Sequence, residues 1–354
     1  MKIIDRYIAV TLIKMILIAL FVLVSLFAFL AIIDQLEATG RGNYTVLKAL
    51  QYVLLIVPQL AYELFPIAAV IGAMTTLGLM ARDSELAIIR TSGVSRIRLA
   101  YSMTKGGIII IFLTIIIGEF ITPYSQQTAQ QLRSVALTEQ IALKTKYGFW
   151  SRDGLSYINI RKILPGDRVE DIYIYEFDDS NRLRSSIFAR SARYIDEQWI
   201  LEDIEQTQLN YDQVSITHLK KAAWESLLNP DVINLVTIKP QYLTLWGLLD
   251  YIDYLEQNDQ NSLLYQQALW SKIVNPLVII IMIILAIPFV HSHSRTTAIG
   301  QRVFIGCLIG IIFHLCNQIA GQLGVVFTIH PAVSATLPAL LLVSVTLWLM
   351  YRHA

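Results

Sequence analysis

Six long apolar runs, each bounded by polar or charged residues, dominate the hydrophobic pattern of the chain. A membrane core of about 30 Å is crossed by roughly 20 mostly apolar residues in an α-helix. The pattern therefore predicts six transmembrane helices: Ile8 to Ile33, Leu47 to Met80, Leu99 to Ile121, Ala268 to Val290, Ile299 to Phe327 and Val333 to Tyr351.

The six predicted helices fall into two groups of three. Residues 1–121 and 268–354 form the membrane halves, and residues 122–267 form a more polar inserted domain. The second and fifth apolar runs are longer than the membrane is thick, so we expect them to tilt, kink or project beyond it.

The inserted domain alternates short apolar-polar runs with turn residues, as strands do. A polar helix, Tyr124 to Lys144, is expected to lead into it, and a helix from Leu243 to Leu255 to follow it. An antiparallel sandwich, jelly roll or open barrel fits this spacing. The predicted strands are Tyr147–Ser151, Leu155–Arg161, Val169–Phe177, Arg182–Ala189, Trp199–Leu201 and Gln213–Leu219.

Charge decides the predicted orientation. Hydrophobic residues make up 55% of the chain and charged residues 16%, and a net charge of +1 gives no indication of nucleic-acid binding. Lys and Arg favour cytoplasmic segments. Placing the N- and C-termini in the cytoplasm puts most basic residues of the short loops inside and the inserted domain outside: Lys2, Arg6, Arg82, Arg90, Arg96, Arg98, Arg295, Arg302 and Arg352.

Catalytic signatures are missing from the sequence. A phosphate-binding P-loop needs adjacent Gly and Lys, and the chain has no Gly-Lys dipeptide. His291 and His293 have no acidic residue or Cys nearby and are interpreted as interface histidines. We therefore predict no catalytic, metal or cofactor site, and any ATP hydrolysis in a separate polypeptide.

The segment 82–93, between the second and third apolar runs, is amphipathic. Ser84 can cap a short helix that buries Leu86, Ile88 and Ile89 and ends near Gly93. Such a helix can dock into a groove on a partner or rest on the membrane surface, and the residues alone leave both interpretations open.

Polar residues inside the apolar runs are the next candidates, because a carboxylate in lipid is costly. Glu63 either lines a gate or pathway, or makes a hydrogen bond between helices. The fifth run carries a polar face that lines a path or only joins helices: His314, Asn317, Gln318 and Gln322. On the same helix, Gly306 and Gly310 permit close helix approach.

Two arginines, Arg41 and Arg133, lie near the predicted outer ends of helices. A guanidinium suits phosphate, so an anionic lipid headgroup is one interpretation and a solvated charge is the other.

Several short motifs occur in an order that resembles a known family. The motifs are Asp5-Arg6-Tyr7, Asp34-Gln35-Leu36, Phe65-Pro66-Ile67-Ala68, Ser84-Glu85-Leu86 with Ser92-Gly93, Trp270-Ser271-Lys272 and Asn317-Gln318. With these motifs in this order, the chain resembles the permease subunits of the lipopolysaccharide export ABC transporter, the YjgP/YjgQ family.

The resemblance implies an architecture and a set of partners. The fold is six transmembrane helices, three plus three, with an inserted β-jellyroll-like domain in the periplasm of a bacterial inner-membrane protein. A homologous permease (LptF type) encloses a lipid cavity with it, with gates between the first helix of one and the fifth of the other. A cytoplasmic ATPase dimer (LptB type) supplies energy, and bridge proteins (LptC and LptA types) receive lipopolysaccharide.

The residue patterns and the resemblance together give the candidate site residues. The resemblance makes segment 84–92 the coupling helix that contacts the ATPase, with Glu85 as a contact. The coupling candidates are Arg82, Ser84, Glu85, Leu86 and Arg90. Candidates for the lipid cavity or gate are Asp34, Arg41, Glu63, Arg133, Asn317 and Gln318. One departure is Ala31, where a family member has Lys.

Two other functions compete with transport. A scaffold whose β domain tethers an envelope partner would have no ATPase partner and would tolerate changes at Glu85. A membrane enzyme that modifies lipid would need a convergent acid, base or metal set, which the sequence does not show.

Overall fold

The computed structural model describes residues 3–138, 143–164, 168–178, 180, 182–195, 198–209, 214–224, 239–258, 260–291 and 299–352. Its α-helices are α1 (Ile3–Leu36), α2 (Val46–Arg82), α3 (Glu85–Thr91), α4 (Arg96–Ile116), α5 (Thr122–Thr138), α6 (Leu245–Gln257), α7 (Leu263–His291), α8 (Ile299–Val326) and α9 (Pro331–Arg352).

Six helical segments in the described chain are long and apolar enough to cross a membrane, which confirms the predicted count. Helix α2 has 37 residues, so it is about 55 Å long and projects beyond the hydrocarbon. Pro58 and Pro66 lie inside it without ending it. The predicted long second run is therefore one helix.

The third span changes from α- to π-helical geometry just before a proline. A π-helical turn, Ile117–Ile121, joins α4 to α5, and the backbone N–H of Thr122 donates to the carbonyl of Ile117. Pro123 has no N–H, and its ring would clash with a carbonyl four residues earlier in a regular helix. The wider turn directly before it is a common response to such an interruption.

The inserted domain contains one antiparallel sheet of six described strands paired in sequence order, which confirms a β domain between the membrane halves. Residues 225–238 lie outside the described chain, and among the described strands the order is that of a meander. The strands are β1 (Leu143–Asp153), β2 (Ser156–Leu164), β3 (Arg168–Phe177), β4 (Leu183–Ile195), β5 (Gln198–Leu209) and β6 (Val214–Trp224).

Two boundaries around this domain differ from the prediction. The polar helix ends at Thr138 and not at Lys144, because Lys144 already belongs to β1 and pairs with Lys162. The later helix begins at Leu245 instead of Leu243, after a 3₁₀ turn (Pro240–Tyr242) and a cap by Thr244, whose hydroxyl accepts from the Gly247 N–H.

One face of the sheet forms a core with α6. Alternating residues of the strands, such as Ile158 and Ile160 on β2 and Ile172 and Ile174 on β3, are buried. They belong to the same cluster as Tyr251, Tyr254 and Leu255 of α6. The period of two along each strand directs one set of side chains to this core.

Helix α2 is the centre of the membrane domain. Its most apolar window is 83% buried, whereas the windows of α1 and α8 are only 11% and 17% buried. Glycines let the helices approach it: a Cβ on Gly72 would lie 2.6 Å from the Ile16 backbone. The predicted close approach at Gly306 and Gly310 is confirmed, since their missing Cβ atoms face Ile71 and Ile67 of α2.

Candidate functional site

The coupling segment forms a seven-residue helix, α3, at the end of α2. Leu86 is buried and Ile89 packs against the membrane core, as predicted. Ile88 is exposed, which corrects its predicted burial, because α3 presents only one face to the core. Ser84 precedes α3 with a φ of 62°, which is left-handed and not the extended conformation usual for a capping residue.

The charged residues of this segment have different surroundings. Glu85 accepts hydrogen bonds from the Tyr7 hydroxyl at 2.9 Å (Oε1) and 3.0 Å (Oε2). The Nε atom of Arg82 lies 3.0 Å from Asp83 Oδ1 on the surface. The side chain of Arg90 lies outside the described part of the structure. The segment therefore presents an exposed apolar and charged surface.

Glu63 lies in a hydrogen-bonded cluster on α2. The Tyr242 hydroxyl donates to Glu63 Oε1 at 2.7 Å, and the Gln59 amide donates to the same atom at 3.1 Å. Burial and the Glu63 carboxylate raise the pKa of Tyr242 well above its usual value, so the hydroxyl stays protonated and can donate. These contacts join α2 to the 3₁₀ turn at the exit of the β domain. The role of Glu63 in a gate or pathway stays a prediction.

A buried ion pair also contacts the segment that leaves the β domain. Lys272 Nζ of α7 is 2.8 Å from Glu119 Oε1 in the π-helical turn, with side chains only 6% and 14% exposed. Lys272 also donates to the carbonyl of Leu243, and the Leu245 N–H donates to Glu119 Oε2 at 2.9 Å. The pair therefore ties the third and fourth spans to the segment that leaves the β domain.

The sequence-based site list missed this pair, although a signal was present. Glu119 and Lys272 are opposite charges, each beside or within an apolar run, and an unpaired charge there is expensive. Their separation along the chain, and the lack of any local periodicity linking them, gave no reason to place them together.

Arg133 of α5 lies beside α2, with its guanidinium carbon 5.6 Å from the centre of the Tyr52 ring. Its Nε atom is buried and has no hydrogen-bond partner among the described residues. Near it, the loop between α1 and α2 packs on the end of α5, where the Asn43 N–H donates to the Ala136 carbonyl at 2.8 Å. Arg41 lies exposed in this loop.

The remaining gate candidates lie on the two least buried helices. Asp34, near the end of α1, and Gln318 of α8 are exposed, and Asn317 is half-buried. Glu63 is eleven residues beyond Tyr52 on α2, a rise of about 16 Å. Arg133, which lies beside Tyr52, is therefore separated from Glu63 along α2, and the roles of all these candidates stay predictions.

Comparison with known proteins shows the family of the chain. A model of the family described as "Lipopolysaccharide export system permease LptF/LptG" matches residues 6–352. The chain belongs to the LptF/LptG family. It is 34% identical to lipopolysaccharide export system permease protein LptG of Escherichia coli strain K12, with 99% of both chains covered. It is also 31% identical to LptG of Haemophilus influenzae, over 98% of each chain.

Membership of the LptF/LptG family makes the chain an integral membrane protein of a lipopolysaccharide export system. The relatives are permeases, which agrees with transport and not with the enzymatic alternative. Among the described residues, no group of three His, Cys, Asp or Glu side chains could hold a metal ion.

Proposed function

We propose that this permease pairs with an LptF-type permease to extract lipopolysaccharide from the outer leaflet of a bacterial inner membrane. It then passes the lipid to bridge proteins of the LptC and LptA types. The family supports the transported lipid. The low burial of α1 and α8 supports the pairing, since these helices leave apolar surface for a second membrane protein or for lipid.

The orientation we propose places both termini in the cytoplasm and the β domain in the periplasm. The basic residues Arg6, Arg82, Arg98, Arg302 and Arg352 then lie at cytoplasmic helix ends. This arrangement follows the preference of Lys and Arg for the cytoplasmic side. It also places Arg133 at the periplasmic side, near the outer leaflet from which the lipid is taken.

In this proposal, the ATPase drives the permease by moving α3. A separate LptB-type ATPase dimer contacts Glu85 and the exposed side of α3. The buried side, with Leu86 and Ile89, rests on the membrane core, so force applied to α3 reaches the ends of α2 and α4. A helix anchored by one apolar face and exposed on the other suits groove docking.

The proposed lipid contact rests on the buried Nε atom of Arg133, which has no hydrogen-bond partner among the described residues. A buried donor without a partner costs about 1–3 kcal/mol, and most buried polar groups in proteins have a partner. The unmatched Nε of Arg133 therefore favours an anionic ligand, and a lipid phosphate supplies acceptors in the geometry that a guanidinium recognises.

Copurification in mild detergent, followed by mass spectrometry of proteins and lipids, tests the proposed assembly. We expect a second permease, an ATPase and lipopolysaccharide to be recovered with the chain. Glu85→Lys is expected to lose the ATPase while keeping the second permease. Recovery of the chain alone, or full ATP-driven lipid release by Glu85→Lys, contradicts the proposed assembly.

Arg133→Ala tests the lipid contact, with Arg184→Ala on the β domain as a matched control for an exposed arginine. We expect Arg133→Ala to reduce the lipopolysaccharide recovered per permease by roughly tenfold, the effect of about 1.4 kcal/mol. Equal lipid recovery from both variants contradicts the proposed role of Arg133.

A further inference from the structure

The cytoplasmic end of α1 is tied to α3 through one hydroxyl group. Tyr7 lies in the second turn of α1, and its hydroxyl donates to the carboxylate of Glu85, the first residue of α3. The two residues are 78 positions apart. This contact links the first span directly to the coupling segment.

The same end of α1 is held by α4. Asp5 is buried, and its carboxylate accepts from Ser102 Oγ at 2.8 Å and from Lys105 Nζ at 2.8 Å. Arg98 Nη2 lies 3.9 Å from Asp5 Oδ1. Because charge-assisted hydrogen bonds are stronger than neutral ones, Asp5 fixes the position of α1 against the element that follows α3.

Burial along α1 is concentrated in this cytoplasmic half. The buried residues of α1 are Asp5, Ile8, Ala9, Leu12, Ile16 and Leu20. Beyond Leu20, the described residues of α1 include none that is buried, and Phe21 and Phe29 are exposed. The helix is therefore anchored at one end and open to a partner or lipid along the other.

We propose that Tyr7 is a positioning residue that transmits movement of α3 to the first span. This inference rests on the proposed function, because it assumes that an ATPase acts on α3. Asp5 holds the end of α1 against α4, and the Tyr7–Glu85 hydrogen bond makes this end of α1 follow α3 when the partner moves α3. A rigid helix carries that displacement to its open half, where the proposed gate lies.

The test is the amount of lipopolysaccharide released per ATP hydrolysed by the whole complex in proteoliposomes. Tyr7→Phe keeps the ring and removes only the hydroxyl. The control is Tyr351→Phe, which removes an exposed hydroxyl at the cytoplasmic end of α9. We expect Tyr7→Phe to keep ATPase assembly and turnover and to lower release per ATP on the order of tenfold, the equivalent of one charge-assisted hydrogen bond.

A second variant makes the test specific for the hydrogen bond. Tyr7→Trp retains an aromatic ring with an N–H donor and is expected to recover part of the release per ATP. If Tyr7→Phe releases as much lipopolysaccharide per ATP hydrolysed as the wild type, the proposal is overturned. Loss of ATPase assembly in Tyr7→Phe also overturns it, because Tyr7 would then be needed for structure and not for transmission.

Failure of the proposed function gives a different result. A wild-type complex without ATP-driven release contradicts the transport proposal itself, whatever Tyr7 does. If the wild-type complex is active and Tyr7→Phe has the same release per ATP hydrolysed, the transport proposal stands and only the role of Tyr7 is removed.

Discussion

Removing the Lys272 ammonium should be among the most damaging single changes in the membrane domain. In Lys272→Met, Glu119 loses its cation at 2.8 Å and keeps the Leu245 N–H at 2.9 Å as its hydrogen-bond donor among the described residues. The carbonyl of Leu243 also loses its donor. The chain length and apolar volume of the side chain are nearly retained, so the effect reports on charge and not on a cavity.

The magnitude follows from the burial of both partners. Side chains that are 6% and 14% exposed are screened little by water, and breaking such a pair costs about 3–5 kcal/mol. Replacing both partners by apolar residues is often neutral. We therefore expect Lys272→Met and Glu119→Met each to lose about 3–5 kcal/mol, and the double variant to lose less than the sum.

Equilibrium unfolding of the purified protein in mixed micelles, followed by tryptophan fluorescence, measures these free energies. The wild type, the two single variants and the double variant form a double-mutant cycle. Lys14→Met, at an exposed lysine of α1, is the control for a simple loss of charge. Additive losses, or a Lys272→Met protein as stable as Lys14→Met, would refute the assignment of a stabilising buried pair.

Three further predictions address other contacts. Gly72→Ala should separate α1 from α2 and lower stability. Gly300→Ala, whose Cβ meets no described atom within 4 Å, should be neutral in the same unfolding assay. Tyr242→Phe should lose about 1–3 kcal/mol in that assay, because a partly buried carboxylate loses its closest donor. The Lys221 ammonium, at 2.8 Å, holds the pKa of Glu202 below its usual value. That contribution to stability is present above about pH 4.3 and is lost as the pH falls through the lower folded-state pKa. Glu202→Gln should therefore flatten the acid dependence of the thermal midpoint.

The spans could be predicted from the sequence because the membrane imposes a length and an apolar composition on each helix. The ends of the strands were harder to predict, because pairing with a neighbouring strand decides where a strand ends. Leu143 and Lys144 were predicted to be helical, but they pair with β2. Local pattern likewise placed Ile88 on the buried side of α3, although packing exposes it.

The contacts of the site residues were even harder to predict from the sequence. Individual charges such as Glu63 could be singled out, because charge in an apolar run is costly. Their partners could not, because the contacts join residues far apart in the chain, as Tyr242 does with Glu63 and Lys272 with Glu119. Only the folded chain places these side chains together.

ATP-dependent release of lipopolysaccharide from proteoliposomes tests the central claim most directly. The liposomes would contain this chain with its copurified permease and ATPase, and a periplasmic bridge protein outside would collect the lipid. We predict release that requires ATP and is lost in Glu85→Lys. Release without ATP, or none from the fully assembled wild-type complex, would contradict a lipopolysaccharide permease driven through α3.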